Sequence, residues 1–304
     1  LQPVRRDDLP LLNYQAGYGL CYGAGAPEKP RILVAGCGTI EPVAVAMANP
    51  KADILAVDIS EASLKRLRWQ ARARGVNIRT LHSDIEALEE RDFDYIIATG
   101  VLHHLEDPAR GLRALVERSR GKAVFRFMLY SRFGRELLYG AKELGRLLGI
   151  KEPKAFRKMI ASLPASHPYR VYFHLYGDAA TDTGVCDGYL HPCDQPFDAL
   201  TLRDFLKQAG LEVGGFLHKP SGQATSWEEL AVKESLAQLE ENFCFFAGFP
   251  AEKKEGILVW NPALPAKGKF FSRLLGEEIG FDRSAPVADQ GRLARALFLL
   301  PEGE

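Results

Sequence analysis

The chain predicts a doubly wound α/β fold, on three observations. Short apolar runs and helical segments alternate five times between Arg31 and Leu129. The first run ends in the tight-turn triplet Gly36-Cys37-Gly38. The spacing between runs is short, and such alternation calls for parallel strands joined by right-handed crossovers.

The elements follow in order. Arg31–Ala35 (RILVA) reads as a buried parallel strand, an apolar run of strand length bounded by glycine. Glu41-Pro42 opens a helix to about Ala48, with proline suited to the first helical position and a carboxylate to the positive helix end. Asp53–Val57 is the second strand, with Asp58 at its carboxyl end. Ser60 caps a helix that Gly75 stops after Arg74. Asn77–Leu81, Asp94–Thr99 and Ala123–Leu129 are the third to fifth strands, with a helix starting at Pro108 between the last two.

The alternation breaks after Tyr130. Ser131–Lys158 is basic and helical in spacing, and Pro164–Phe197 reads as irregular and polar. Thr201–Ala209 is a helix stopped by Gly210, and Leu211–Leu217 is a strand. Trp227–Glu241 reads as helix, and Phe243–Phe246 and Ile257–Trp260 as candidate strands. Phe243, Phe245 and Phe246 are assigned to the core.

Composition narrows the function. Lys plus Arg (39) equals Asp plus Glu (39), which argues against non-specific nucleic-acid binding. No run approaches the length of a membrane span. Five cysteines without a C-x-x-C pair fit a reducing, cytoplasmic compartment, and no leader segment is visible at the N-terminus. Cys186, His191, Cys193 and Asp194 have metal-ligating side chains in no common zinc spacing, so no metal is expected.

In an open parallel sheet, ligands bind beyond the carboxyl ends of the strands. Four segments meet there: Gly36-Cys37-Gly38, Asp58-Ile59, Ser83-Asp84-Ile85 and Thr99-Gly100, the last running on into His103 and His104. Glycines let the backbone approach a ligand. Asp58, about twenty residues after the glycines, suits ribose hydroxyls. Asp84 suits an exocyclic adenine amine, with Ile85 packing on the ring. A dinucleotide fingerprint would place a further glycine where Glu41 stands. An acid at a pyrophosphate seat is unfavourable, so the ligand is a nucleoside without phosphates.

RILVAGCGT, AVDIS, HSDI and DYIIATGVLHHLEDP, in this order, resemble the first four motifs of class I S-adenosylmethionine-dependent methyltransferases. TLRDFLKQAGLEV resembles their last helix and sixth strand. The AGCGT form, with LHPCDQPF and TLRDFLKQAGL later, looks like a bacterial branch sometimes fused to repeat domains. The resemblance covers about Arg31–Leu129 and Thr201–Leu217.

It implies a mostly parallel seven-stranded sheet with an inserted, mainly helical substrate lobe. The expected divisions are an N-terminal cap (1–30), a cofactor-binding half (31–130), the lobe (131–200), completion of the sheet (201–265) and a tail (266–304). It also implies S-adenosylmethionine as cofactor, held by Gly36, Cys37, Gly38, Asp58, Ile59, Ser83, Asp84, Ile85, Thr99 and Gly100. The expected activity is methyl transfer by in-line displacement to a small-molecule or protein acceptor, with no membrane partner.

His103 and His104 are the candidate catalytic pair, His103 lining the pocket and His104 packing inward; imidazole titrates in the useful range. Tyr130, His191, Asp194 and Gln195 are candidate acceptor contacts. The sequence departs from the family at Val34, where an acid usually helps bind the methionine amino group, and at Ile40, where a third glycine is usual. Tyr14, Gln15 or Tyr18 are candidates for the missing contact. A non-catalytic S-adenosylmethionine-binding or scaffold protein is the alternative. An NAD-dependent oxidoreductase is disfavoured by Glu41, and a polyamine synthase by the lack of acids at Thr99-Gly100.

Overall fold

A computed structural model describes residues 4, 6–23, 25–175, 177–217, 226–236 and 242–251. The strands are β1 (Arg31–Ala35), β2 (Asp53–Asp58), β3 (Arg79–His82), β4 (Phe93–Thr99), β5 (Ser119–Tyr130), β6 (Glu212–Phe216) and β7 (Asn242–Gly248). They form a seven-stranded sheet in the order β3-β2-β1-β4-β5-β7-β6. β1 to β5 run parallel. β7 is antiparallel to both neighbours.

Alternation along each strand sends successive side chains to opposite faces. Ile32 and Val34 enter one core with Tyr14, Val43 and Leu64. Leu33 and Ala35 enter the other with Phe125, Phe127, Leu112 and Leu202. The first face is covered by α1 (Tyr14–Tyr22), α2 (Glu41–Ala48) and α3 (Glu61–Arg74). The second is covered by α4 (Pro108–Glu117), α9 (Ala199–Gln208) and α10 (Trp227–Ser235). Phe243, Phe245 and Phe246 are buried on β7, as expected of core residues.

Between β5 and α9 lie four helices: α5 (Glu136–Leu147), α6 (Pro153–Ser162), α7 (Pro168–Leu175) and α8 (Asp182–Tyr189). They enclose a separate apolar cluster of Leu138, Phe156, Ile160, Phe173, Val185 and Tyr189. The helical reading of Ser131–Lys158 holds, and the irregular reading of Pro164–Phe197 fails. The basic stretch Ser131–Lys158 is two helices, because Gly149 takes the left-handed φ of +68° that closes one and Pro153 opens the next. Pro164–Phe197 is largely helical, because Pro168 starts α7 and the Thr181 hydroxyl caps α8 by accepting the Gly184 N–H. At eight residues each, α7 and α8 are too short for a periodicity signal to outweigh their prolines and polar residues.

The two ends of this segment meet at the sheet. Ser131 bridges to Phe197, the Arg132 N–H donates to the Phe197 carbonyl (2.7 Å), and the Phe197 N–H donates to the Tyr130 carbonyl (2.9 Å). Buried Glu234 on α10 joins them, accepting from the Ser131 hydroxyl (2.6 Å) and the Ala199 N–H (2.8 Å). The candidate strand Ile257–Trp260 and the tail from Lys267 lie outside the described residues.

Candidate cofactor and acceptor site

The carboxyl ends of β1, β2 and β4 converge on one edge of the sheet. Gly36 and Gly38 both adopt left-handed φ (+60° and +57°), which only glycine enters without strain. A Cβ on Gly36 would fall 2.4 Å from Val101 Cγ2, so the turn packs directly on the segment after β4. A Cβ on Gly38 would meet nothing within 4 Å. The turn is therefore closed on one side and open on the other.

Asp58 fastens this turn to β2. Its Oδ2 accepts the Gly38 N–H (2.8 Å) and its Oδ1 accepts the Ser60 N–H (2.8 Å). A carboxylate has about four acceptor sites, so two N–H bonds leave capacity for hydroxyl donors. Beside it, Ile59 is 74% exposed, an apolar side chain left at the strand end. Asp84 is exposed and its Oδ1 accepts the Glu86 N–H in an Asx turn. Ser83 is tied to β2 through its N–H on the Asp58 carbonyl. Ile85 is buried among Leu33, Leu55 and Leu88, so it faces the sheet core. The Cys37 thiol is buried and pushed well up, by burial first and then by the charges of Asp58 and Glu41.

Thr99 and Gly100 close the floor. The Thr99 hydroxyl donates to Glu41 Oε1 (2.6 Å) and accepts from Arg126 Nη1 (2.9 Å). Arg126 Nη1 also lies 3.5 Å from Glu41 Oε1, and Arg126 Nε donates to the Leu11 carbonyl (2.9 Å). Burial raises the Glu41 carboxyl, while Arg126 and Thr99 pull the other way. The sequence marks Glu41 as a helix-start acid and an obstacle to phosphate, and gives Arg126 no role. The available signal was an arginine inside the apolar run AVFRFML, where a buried cation needs a partner.

Beyond β4, the order of the two histidines is the reverse of the expectation. His103 is 0% exposed, stacked on the Tyr130 ring at 3.7 Å. Neither of its ring nitrogens has a hydrogen-bond partner among the described residues. Burial, then the neighbouring His104 and Arg135, pushes its pKa down to about 2. His104 is partly exposed, with Nδ1 at 3.2 Å from the Cys193 carbonyl and Nε2 at 3.8 Å from Asp187 Oδ1. His191 packs against it at 4.2 Å between ring centres.

Tyr130 carries the Arg135 guanidinium over its ring at 3.4 Å, and its hydroxyl lies 3.5 Å from Asp187. Asp194 is buried, bound by Lys142 Nζ (3.0 Å) and the Tyr139 hydroxyl (3.3 Å). Gln195 straps its segment to the loop after β4. Its N–H donates to the His103 carbonyl (2.8 Å) and its Nε2 to the Leu105 and Glu106 carbonyls. A cavity of about 550 Å³ lies beyond this strap, against α5, lined by Arg132, Glu136, Tyr139, Tyr169 and Pro196.

The N-terminal candidates lie elsewhere. Tyr14 and Tyr18 are buried under α1, Tyr14 against Tyr95, and the Gln15 side chain donates to the Pro27 carbonyl. Val34 is fully buried in the core.

Residues 32–120, from β1 into β5, match the family model described as a methyltransferase domain. An uncharacterized protein of Synechococcus sp. is 31% identical over 220 residues, covering 67% of this chain and 52% of the relative. PKMT2 from Rickettsia typhi, solved with AdoHcy and without it, superposes with TM-scores of 0.61 and 0.60 at 16% identity, covering 84% of this chain and 56% of that one. The chain thus spans about half the length of these relatives. The fold is Rossmann-like, as in methyltransferases, and residues 32–120 match a methyltransferase-domain model.

Among the described residues no helix is long and apolar enough to cross a membrane. S-adenosylmethionine is the methyl donor that goes with a domain of this class. The residues at the strand ends fit its nucleoside: a glycine turn open on one side, a strand-end carboxylate with spare acceptor capacity, and an exposed apolar side chain beside it.

Proposed function

We propose that this chain is an S-adenosylmethionine-dependent methyltransferase acting on a small-molecule or protein acceptor. The observation that carries the reading is the convergence of Gly36–Gly38, Asp58-Ile59 and Thr99-Gly100 at the carboxyl edge of β1, β2 and β4. Asp58 receives the ribose hydroxyls, Ile59 covers one side of the adenine, and Asp84 accepts from its amine. Ser83 and Ile85 act at one remove, holding that loop to β2 and to the core. When bound, the cofactor supplies a sulfonium methyl group, which the acceptor's lone pair takes as the carbon–sulfur bond electrons return to sulfur.

The protein's share of such a displacement is alignment and exclusion of water. We assign the acceptor side to the helices between β5 and α9 together with Tyr130, His104, His191 and the strap through Asp194 and Gln195. Tyr130, held between His103 and Arg135, anchors this side, His104 packs edge-on to it, Lys142 and Tyr139 hold Asp194, and Gln195 fixes the strap on the loop after β4. Of the two histidines, His104 is the one with a carboxylate near it, Asp187 at 3.8 Å from Nε2, although burial lowers its pKa. His103 stays neutral and stacks Tyr130 in place. The LHPCDQPF strap and the TLRDFLKQAGL helix support the bacterial AGCGT-type branch, and five cysteines without a C-x-x-C pair favour a cytoplasmic setting.

Asp58 provides the test. In Asp58→Asn the retained amide oxygen still accepts one bond but the charge is gone. Affinity for S-adenosylhomocysteine should fall about ten- to hundredfold, and the melting temperature should fall as well, because the new amide NH2 faces one of the two backbone N–H donors. Asp58→Ala should lose affinity and also about 1–3 kcal/mol of stability, because the Gly38 and Ser60 N–H groups lose their acceptor. Wild-type dissociation constants in both variants, by titration calorimetry, would remove the ribose assignment.

A further inference from the structure

The proposed cofactor ends in an α-amino acid, so its site must place an ammonium group. A desolvated ammonium needs a carboxylate beside it. Two of the acids at this edge of the sheet are committed. Asp58 holds the glycine turn and faces the ribose position. Asp84 sits in its own Asx turn at the end of β3. Val34, buried and apolar, can offer nothing. Another acid there is Glu41.

Glu41 opens α2 immediately after the glycine turn. Its Oε1 meets the Thr99 hydroxyl at the end of β4 and lies 3.5 Å from Arg126 Nη1 on β5. The carboxylate therefore bridges the floor between the glycine turn and Thr99-Gly100, and its field reaches the Cys37 thiol inside that turn. Both contacts use Oε1, which leaves acceptor capacity on a group with about four acceptor sites. A single cation at 3.5 Å does not offset the burial of Glu41, and a second would help to do so.

We propose that Glu41 takes over the work of the acid absent at Val34 and binds the ammonium group of the cofactor's methionine moiety, with Thr99 and Arg126 holding its carboxylate in place. This rests on the proposed cofactor. It gives one side chain two consequences: it favours a ligand ending in an ammonium, and it disfavours a ligand with phosphate at the same helix end.

The test compares two ligands that share the adenosine and thioether and differ in the amino-acid end. S-adenosylhomocysteine has the ammonium and 5′-deoxy-5′-methylthioadenosine lacks it. Glu41→Gln should bind S-adenosylhomocysteine about ten- to hundredfold more weakly than wild type while its affinity for methylthioadenosine is unchanged. Glu41→Asp, which keeps the charge on a shorter arm, should recover part of the loss. Methylthioadenosine binding also reports that each variant is folded at the nucleoside site. Equal loss of both ligands in Glu41→Gln would make Glu41 structural only and overturn the proposal. No loss of either would overturn it as well. A wild-type protein that binds neither ligand would instead overturn the proposed function, and the Glu41 role with it.

Discussion

His103 shows how much one residue's surroundings govern its chemistry. The sequence placed two imidazoles after β4 and marked both as candidates for proton transfer. The fold buries the first against Tyr130, Arg135 and His104, so it remains uncharged through the physiological range. A histidine whose pKa falls on folding resists the proton that the unfolded chain accepts near 6.5. Its contribution to stability is complete above about pH 6.5 and is lost as the pH falls toward 2. The protein should lose stability from this residue as the pH falls below ~6.5, approaching about 1 kcal/mol per pH unit only well below that value. Urea unfolding at pH 6.5, 5.5 and 4.5 checks it, with His103→Gln as the comparison. The variant's slope should be shallower by about that amount, and parallel slopes would show that His103 titrates freely.

At the scale of the element, the turn between β1 and α2 depends on two glycines for different reasons. Both hold left-handed φ, but only Gly36 meets a neighbour where a Cβ would sit. That neighbour is Val101, β-branched and stiff, so it cannot swing clear. Gly38→Ala should cost about 1–2 kcal/mol through its backbone alone. Gly36→Ala should cost measurably more. Chemical denaturation would show it, and equal costs would mean that the packing on Val101 is slack.

This turn was legible in the sequence because glycine, strand and acid lie within about twenty residues of each other. Strands β1, β2, β4 and β5 were legible as short apolar runs, β5 despite the arginine inside it. Glu41 was legible as a residue but not as a partner, because Thr99 and Arg126 come to it across 58 and 85 positions of chain. The short helices α7 and α8 were hidden by their length, eight residues each, and by the prolines and polar residues around them. Which histidine would be buried depended on Tyr130 and Arg135, which no local pattern reports.

At the scale of the molecule, the segment between β5 and α9 is built on a neck. Tyr130, Ser131 and Arg132 pair with Phe197, and Glu234 binds Ser131 and Ala199 from α10. A buried carboxylate that satisfies two donors is costly to delete, because both donors are left without acceptors. Glu234→Ala should lose about 2–4 kcal/mol and expose residues 131–198 to limited proteolysis before the sheet is cut. An unchanged melting temperature and cleavage pattern would mean that the neck is held by the backbone pairs alone.

The sheet, the glycine turn and the acids at the strand ends together make the central claim, that this edge of the molecule binds a nucleoside carrying an amino acid and no phosphate. Titration calorimetry of the wild-type protein with S-adenosylhomocysteine and, in parallel, with NAD tests it directly. The account predicts saturable one-to-one binding of S-adenosylhomocysteine and no measurable binding of NAD. Saturable binding of NAD with no heat from S-adenosylhomocysteine would contradict it.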